Sequence, residues 1–259
     1  MALIESLREP AFKNDPPADE RQTALLHRRI IRNKHILRRV YADFYGRIAA
    51  SLANGPGQGQ IVEIGSGAGF LTEHLPGLIT SDILALPDID LRCSALQMPF
   101  RNNSLDGIVM VDVFHHLGDA QRFLREAERC LKPKGKVIMI EPANTAFSRF
   151  VYANFHHEVF APEAGWQFTS YGPLSTANGA LPWIVFERDR EKFENLFPSF
   201  KLVQFQPHTP LSYLISGGLS YRQLVPNFLY PVIRGMERIL SPFSKILGMF
   251  VTIELLKTG

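Results

Sequence analysis

The chain has 259 residues, of which 46% are hydrophobic and 20% charged, so it can bury a core without disulfide bonds. Its formal net charge of +3 is small, whereas nucleic-acid-binding proteins usually carry a concentrated basic surface, so no nucleic-acid partner is expected. Cys93 and Cys130 lie in apolar or helical contexts, which favours buried free thiols in a reducing, cytoplasmic compartment.

The N-terminal residues are polar, and the first helical pattern begins after residue 20. Residues 1–20 contain three prolines and predict a flexible arm without the basic and apolar regions of a signal peptide. Residues 21–52 place apolar side chains every three or four positions, which predicts a helical segment that is broken once. Residues 54–57, Asn-Gly-Pro-Gly, end this segment.

Basic side chains crowd one part of this helical segment: Arg28, Arg29, Arg32, Lys34, Arg38 and Arg39. Such a cluster is typical either of a patch for an anionic group or of a solvated helix face beside an apolar one. The second interpretation is favoured.

Strands and helices alternate through the middle of the chain. Short β-branched or aliphatic runs predict strands at residues 60–64, 78–81, 91–94, 107–111 and 136–140. Helical segments are predicted at residues 70–75 and 120–131, and Lys-Pro-Lys-Gly at 132–135 closes the second of them. This order predicts right-handed βαβ units and a parallel sheet.

The last third is less regular. It predicts helices at residues 144–155 and 188–196, a loop or lid at 161–183, and strands at 200–205 and 250–256. An apolar, aromatic segment at 211–247 lies between the last two strands. The apolar run at 246–256 contains Glu254 and is shorter than the roughly 20 residues of a spanning helix, so no transmembrane helix is expected.

The strongest chemical signal is the sequence Glu-Ile-Gly-Ser-Gly-Ala-Gly at residues 63–69, directly after the first strand. Glycines let the backbone turn sharply and approach a ligand closely, and a following helix would offer unpaired N–H groups to an anionic group. As evidence for a ligand site, the position of the motif between a strand and a helix counts for more than its exact pattern of glycines.

Asp82 ends the second strand and therefore lies beside this glycine loop at the carboxyl edge of the sheet. Open α/β sheets bind ligands at this edge, where a carboxylate accepts two hydrogen bonds from a ribose diol. The alternative is an exposed loop acid or a helix cap, and the order of the elements favours the ribose role.

Together these segments resemble the class I S-adenosylmethionine-dependent methyltransferases, in particular the small-molecule group of methyltransferase type 11, over residues 60–142. The similarity rests on motifs that occur in the family's order: residues 63–69, Ser-Asp-Ile at 81–83, Met-Pro-Phe at 98–100, 104–109, Asp-Val-Phe-His-His-Leu at 112–117, and Leu-Lys-Pro-Lys-Gly-Lys at 131–136. A nicotinamide-binding domain usually has Gly-x-Gly-x-x-Gly and lacks the last segment.

The resemblance implies a Rossmann-like, mostly parallel, seven-stranded sheet with helices on both faces and an α-rich lid. It implies one methyltransferase domain over residues 21–259, in which 21–53 form an N-terminal helical cap and 58–142 the cofactor-binding core. Residues 143–187 and 209–247 would be lid insertions on the acceptor side.

The resemblance also implies the residues that bind S-adenosylmethionine. Gly65 and Gly67 would pass under its methionine part, Glu63 would hold the loop or reach the cofactor amine through water, and Asp82 would bind the ribose. The full expected set is Glu63, Gly65, Ser66, Gly67, Gly69, Asp82, Ile83, Ala95, Leu96, Asp112 and Val113, with Ala95 and Leu96 beside adenine and the last two near the sulfonium.

Two positions depart from the family pattern. Ser94 stands where many members have an aspartate that bonds the adenine amino group. The connection from Asp82 to Leu91 has no room for the usual helix, so one sheet face would be open or covered by the N-terminal helices.

Methyl transfer needs alignment and exclusion of water, and a general base is optional. His115 and His116 follow the fourth strand and are candidate catalytic residues, because histidine exchanges protons near neutral pH. The alternative is that they pack beneath the lid.

A metal site is not expected. His156, His157 and Glu158 suggest one, but adjacent histidines point in different directions and no second ligand pair has suitable spacing.

The acceptor is expected to be small and apolar or lipid-like, because the lid segments are rich in aromatic residues such as Trp166, Tyr171 and Tyr213. Residues 221–245 mix arginine and lysine with large apolar residues, which is typical of a membrane-interface helix or of a lid helix packed on the sheet.

The leading hypothesis is therefore an S-adenosylmethionine-dependent methyltransferase that acts at oxygen or nitrogen of such an acceptor. The alternative is a non-catalytic cofactor-binding or membrane-peripheral scaffold with the same fold.

Overall fold

A seven-stranded sheet lies at the centre of the structure, a computed structural model that describes residues 7–14, 17–53, 59–67, 69–156 and 158–259. Its strands are β1 (Ile61–Ile64), β2 (Ile79–Asp82), β3 (Leu91–Arg92), β4 (Leu105–Val111), β5 (Leu131–Pro142), β6 (Phe200–His208) and β7 (Phe250–Lys257). Their order is β3-β2-β1-β4-β5-β7-β6. Strand β7 is antiparallel to β5 and β6, while the other neighbours pair in parallel. This sheet confirms the predicted fold class.

The central strands are apolar throughout because helices cover both of their faces. In β4, Ile108 and Met110 face one hydrophobic core and Val109 faces the other. Strand β5 repeats this alternation. Because β1 pairs in parallel with both β2 and β4, the carboxyl ends of these three strands lie at one edge of the sheet.

On the Val109 face lie the N-terminal helices α1 (Pro10–Asn14), α2 (Glu20–Asn33) and α3 (His35–Ala53). The predicted single break is confirmed at Lys34, whose backbone is extended. Helix α3 buries a stripe against the sheet: Ile36, Leu37, Val40, Phe44 and Ile48.

Helix α2 begins at a side-chain cap, because the Asp19 carboxylate accepts a hydrogen bond of 2.7 Å from the Gln22 N–H. We expect Asp19→Ala to lower the free energy of unfolding by about 1 kcal/mol, since this N–H loses its partner. Thermal or urea unfolding measures the change. Asp19→Asn is the matched control and should unfold like the wild type; an equal loss in both variants would contradict the capping role.

The opposite face is covered by α4 (Ala120–Cys130), α6 (Leu181–Trp183) with the π-helical turn Ile184–Arg188, and α7 (Arg190–Leu196). Fully buried phenylalanines join these elements to the sheet: Phe114, Phe123, Phe186 and Phe193.

The remaining helices belong to the segments after β5 and β6: α5 (Ala146–Phe155), α8 (Ser212–Ser216), α9 (Tyr230–Leu240) and α10 (Ser244–Leu247). Helix α8 packs on α3, and α9 packs on α8. Among the residues that the structure describes, no helix has the length and apolar character needed to cross a membrane.

The predicted helix at residues 70–75 is wrong. Only a 3₁₀ turn, Leu71–Glu73, follows the glycine loop. Pro76 and Gly77, which has a φ of +84°, end the segment, and six residues are too few to offset the cost of helix nucleation. A helix dipole therefore does not contribute to ligand binding at this loop.

Residues 132–135 differ from the predicted closing loop because they lie within β5. Leu105 pairs with Leu131 and Gly107 with Lys136, so the residues between them form a bulge in which Lys134 has a φ of +68°. Strand β5 thus starts directly where α4 ends.

Part of the predicted N-terminal arm is held by the C-terminal half of the chain. The Glu9 N–H donates to the Ser220 carbonyl at 2.9 Å, and the Arg222 N–H donates to the Leu7 carbonyl at 2.7 Å. The structure does not describe the rest of the arm at residues 1–6 and 15–16. It also does not describe the predicted helix terminator at residues 54–57.

Candidate active site

A cavity of about 1250 Å³ opens at the carboxyl ends of β1, β2 and β4. All the residues predicted to bind the cofactor line it, and so do His115 and His116. Its volume exceeds the roughly 300–1,000 Å³ of a typical small-molecule pocket, which leaves room for two ligands.

The glycine loop forms the floor of this cavity. Gly65 has a φ of +73°, and a Cβ atom there would lie 2.4 Å from Val113 Cγ2. A Cβ on Gly69 would lie 2.7 Å from the Tyr45 hydroxyl oxygen. Both positions therefore require glycine, because neighbouring side chains occupy the space a larger residue would need.

Asp82 connects the loop to the end of β2. Its carboxylate accepts hydrogen bonds from the Gly67 N–H at 3.0 Å and from the Leu84 N–H at 2.8 Å. Burial raises the pKa of Asp82, and these two N–H groups oppose the rise. The side chain is thus oriented at the cavity wall, where carboxylate lone pairs remain for a ligand.

Helix α2 covers the short β2–β3 connection. Arg28 donates to the Gly67 carbonyl at 3.0 Å, and Arg21 donates to the Ala85 carbonyl at 2.8 Å. The N-terminal helices thus cover this face, the second of the two arrangements expected from the missing helix.

The basic cluster of α2 and α3 is used largely in contacts within the protein. Besides Arg28, Lys34 donates to the Gly218 carbonyl at 2.6 Å, and Arg38 pairs with Glu73 at 3.3 Å. Arg39 lies over the ring of Tyr230.

Two carboxyl groups line the cavity close to the ends of β1 and β4, the buried Glu63 and the partly buried Asp112. Burial raises the pKa of Glu63 to about 7 and that of Asp112 to about 7. The Tyr41 hydroxyl donates to Asp112 at 3.2 Å. Bound positive charge would therefore shift both groups toward their ionised forms.

His115 and His116 begin a second polar cluster. Glu141, which is fully buried, accepts from the Val113 and Phe114 N–H groups and contacts His115 Nδ1 at 2.6 Å. The Nε2 atoms of His115 and His116 lie 3.5 and 3.8 Å from the Glu158 carboxylate.

The environments of the two histidines separate their pKa values. Burial alone would lower the pKa of His115, but hydrogen bonds to Glu141 and Glu158 raise it to about 10. Burial and the charge of His115 lower the pKa of His116 to about 4.

The other half of the cavity is apolar. Its walls come from α5, the loop that follows α5, and the segment around α8: Phe147, Phe150, Val151, Tyr152, Phe155, Val159, Phe160, Tyr213, Leu214, Leu219, Leu224 and Phe250. Apart from Phe250, which begins β7, these residues belong to the segments that were expected to be acceptor-side lids.

Comparison with known proteins is consistent with this geometry. A family model described as a methyltransferase domain matches residues 62–139, which include β1, the glycine loop, Asp82 and His115. Residues 62–139 thus resemble a methyltransferase domain, the family that the sequence motifs indicated.

Two curated relatives match part of the chain. A demethylmenaquinone methyltransferase of Thermotoga maritima is 33% identical over 117 residues, 40% of this chain and 51% of the relative. One of Symbiobacterium thermophilum is 35% identical over 75 residues, 28% of this chain and 30% of the relative. The chain thus spans about half or less of the length of these relatives.

A solved structure extends the likeness of fold beyond residues 62–139. The CurJ carbon methyltransferase has a TM-score of 0.51 and 17% identity, with 97% of this chain and 61% of that chain covered. At this identity the likeness shows the fold alone.

The sequence analysis missed three residues around His115 and His116: Glu141, Glu158 in this role, and Asn178. Asn178 accepts from the Ala161 N–H at 3.0 Å and donates its own N–H to the His115 carbonyl at 2.9 Å, which holds the lid loop over the histidines. Glu141 had a signal, since it ends an apolar strand at the ligand edge, as Asp82 does.

Other candidates lie around the same cavity. His156 Nδ1 lies 3.8 Å from Glu158, and His157 is outside the described residues. Tyr171 is 86% exposed at the rim, whereas Tyr213 packs its ring on Phe250.

Proposed function

We propose that this protein transfers a methyl group from S-adenosylmethionine to a small, apolar or lipid-like acceptor. One observation carries the proposal: a single cavity joins the glycine loop, Asp82 and two carboxyl groups to a large apolar half. The polar half suits a cofactor with a ribose and two positive charges, and the apolar half suits the acceptor.

The residues present fit this cofactor. Gly65 and Gly67 bring the loop backbone to the cavity wall where a methionine chain would lie, Asp82 presents lone pairs to a ribose diol, and Ala95 and Leu96 offer an apolar surface to adenine. Glu63 and Asp112 supply negative charge on the side where an ammonium and a sulfonium would lie. Ser94 accepts from the Leu96 N–H at 3.2 Å and keeps its hydroxyl proton for a further acceptor.

When bound, the cofactor supplies an electrophilic methyl group whose bond to sulfur breaks as the acceptor's electron pair forms the new bond, with the leaving pair kept by sulfur. The protein's part is to align the acceptor and exclude water, which can contribute several kcal/mol, up to about 7–11 kcal/mol. The lid residues Phe147, Tyr152 and Tyr213 enclose the apolar half and would do both.

A quinone-like ring is the acceptor class that we favour. The curated relatives are named as methyltransferases of a demethylated menaquinone, and the aromatic walls here would stack on a flat ring. The rim carries exposed apolar residues, among them Phe150 at 60% and Leu224 at 50% exposure, which would admit an attached hydrocarbon chain.

We further propose that this acceptor is taken from a membrane surface. From Leu224 an exposed apolar stripe continues along α9 and α10: Phe228, Val232, Met236, Ile239, Phe243 and Ile246. Arg222, Arg238 and Lys245 are exposed in this segment, whereas its acid, Glu237, is buried on the protein side of α9. Apolar insertion with surrounding cations is the chemistry of an anionic lipid surface.

Cofactor binding should depend on pH through Glu63. Burial raises its pKa to about 7, so the carboxyl is mostly neutral at low pH and gains charge as the pH rises. We expect S-adenosylmethionine affinity to rise about tenfold between pH 5.5 and 7, where the cofactor's amine stays charged. Calorimetric titrations at each pH measure this, and Glu63→Gln should remove the share that Glu63 contributes and leave that of Asp112, whose pKa burial also raises to about 7. An unchanged profile in that variant would contradict the role of Glu63.

The test of the proposed function begins with calorimetric titration of the protein with S-adenosylmethionine and, separately, with NAD. Micromolar binding of the first alone is expected. Transfer of a labelled methyl group to a reduced quinone with a short isoprenoid chain, against a polar catechol of the same ring size, then tests the acceptor class. Binding without transfer to any acceptor would support the non-catalytic scaffold, and absence of binding would refute the proposal.

A further inference from the structure

Three potential ligand atoms converge on one wall of the cavity. His115 Nε2, His116 Nε2 and a Glu158 carboxylate oxygen lie within 4.8 Å of one another. They come from two places in the chain, the 3₁₀ turn Phe114–His116 after β4 and the loop after α5. The fold therefore assembles a cluster that the spacing of the sequence did not reveal.

The partners of the histidines determine which ring nitrogens face Glu158. His115 Nδ1 lies 2.6 Å from the Glu141 carboxylate, and His116 Nδ1 lies 2.9 Å from the Thr176 carbonyl. Both partners are acceptors, so both Nδ1 atoms carry a hydrogen. In their neutral forms the two imidazoles thus turn bare Nε2 lone pairs toward Glu158, which is itself an acceptor.

Three lone pairs that face one another need a positive centre between them. A proton on His115 Nε2 satisfies its 3.5 Å contact with Glu158, but it leaves His116 Nε2 and the other Glu158 oxygen as two acceptors at 3.8 Å. A cation between the three groups satisfies all of them at once.

We propose that His115, His116 and Glu158 form a binding site for a divalent transition metal of the zinc class. Two imidazoles and one carboxylate are a ligand set that zinc accepts, whereas magnesium prefers oxygen ligands alone. Each imidazole also donates its other N–H to a carboxylate or a carbonyl, which is the usual outer shell of metal-binding histidines.

Zinc requires its ligands closer together than they lie here. The 3.5 and 3.8 Å contacts of the two histidines go to different oxygens of Glu158, and one ligand atom from each residue lies within 4.8 Å of the others. Ligands at about 2.0–2.1 Å from a tetrahedral ion lie roughly 3.3 Å apart, so zinc would draw these atoms together by up to about 1.5 Å. Asn178 and Glu141 already hold the two segments in place.

A tetrahedral ion with three protein ligands would keep a fourth position, and all three ligand residues line the cavity. An oxygen of the acceptor would occupy it, next to the polar half of the cavity where the cofactor is proposed to lie. This role of the metal rests on the proposed function, whereas the existence of the site does not.

The experiment titrates the metal-free protein with ZnCl₂ by calorimetry, without cofactor or acceptor, and with CoCl₂ by visible absorption. We expect one ion per chain and the intense cobalt band of a tetrahedral site. His116→Ala and the near-isosteric Glu158→Gln should each weaken binding at least tenfold, and Glu141→Gln should weaken it about ten- to a hundredfold through the outer shell. His35→Ala, an exposed histidine outside the cavity, is the matched control.

Absence of stoichiometric binding by the wild type would overturn the site, as would equal affinity in His116→Ala, Glu158→Gln and His35→Ala. Circular dichroism checks that each variant is folded, and Glu158→Gln preserves the shape of the side chain if His116→Ala unfolds. Failure of the proposed methyltransferase function appears in the separate S-adenosylmethionine titration, so the two failures are distinguishable.

Discussion

Asp82→Ala is expected to weaken S-adenosylmethionine binding about ten- to a hundredfold, the scale of one or two lost charge-assisted hydrogen bonds. The carboxylate is held at the cavity wall by the Gly67 and Leu84 N–H groups, which orients its remaining lone pairs toward a ribose. Loss of the side chain also frees these two N–H groups. The loop therefore loses a support as well as a ligand contact.

The product, S-adenosylhomocysteine, separates a ribose contact from a charge effect. It has the same ribose but lacks the sulfonium charge, so a ribose contact predicts equal losses of affinity for both compounds. Asp88→Ala is the control, because the Asp88 side chain is 85% exposed on the neighbouring connection. A loss confined to S-adenosylmethionine would assign Asp82 to the sulfonium charge, and unchanged affinity for both would refute the contact.

The cofactor half of the site was predictable because its residues follow strand ends. Parallel strands bring their carboxyl ends to one edge, so Gly65 after β1, Asp82 after β2 and Asp112 after β4 had to lie close together. All of them line the observed cavity. The strands themselves, and their order along the chain, were predictable because each is a short apolar run that can be recognised in the sequence.

Prediction from local sequence patterns was wrong where contacts with distant parts of the chain determine the secondary structure. The segment after the glycine loop has the apolar spacing of a helix. However, the Phe70 N–H donates to the Tyr45 hydroxyl oxygen at 3.2 Å, and Pro76 prevents a helix from continuing. The Phe70 N–H is thus satisfied by a side chain of α3, 25 residues earlier in the chain. A pattern of apolar residues does not contain that information.

The histidine cluster was missed for a related reason. His115 was a candidate on its position alone. Its partner Glu141 lies 26 residues further along the chain, and Glu158 lies beyond two helices, α4 and α5. The sequence instead drew attention to the adjacent pair of histidines before Glu158. Only the path of the lid loop, fixed by Asn178, brings Glu158 to His115 and His116.

The cavity and the apolar stripe are connected through Leu224, which lines the cavity and is half exposed. A lipid-like acceptor has a polar ring that must reach the cofactor and a hydrocarbon chain that water excludes. An opening next to an apolar surface would let the chain remain in the lipid while the ring enters. The site and the surface would thus serve the same acceptor.

The exposed stripe predicts a specific effect of charge on vesicle binding. Ile239 is 77% and Phe243 is 55% exposed, so the double variant Ile239→Glu, Phe243→Glu should fold normally. We expect it to bind vesicles containing anionic lipid at least tenfold more weakly, because each apolar side chain loses insertion worth about 1 kcal/mol or more and each glutamate is repelled. Its affinity for S-adenosylmethionine should stay unchanged, since neither residue lines the cavity.

Co-sedimentation with neutral and anionic vesicles measures this, and Leu196→Glu is the matched control. Leu196 is 41% exposed at the end of α7, on the opposite face of the sheet. Arg238→Gln with Lys245→Gln should reduce only the preference for anionic lipid, by about 1 kcal/mol per charge. If the stripe instead binds a second copy of the chain, the glutamate variant will change the sedimentation of the protein alone and leave vesicle binding at the wild-type level.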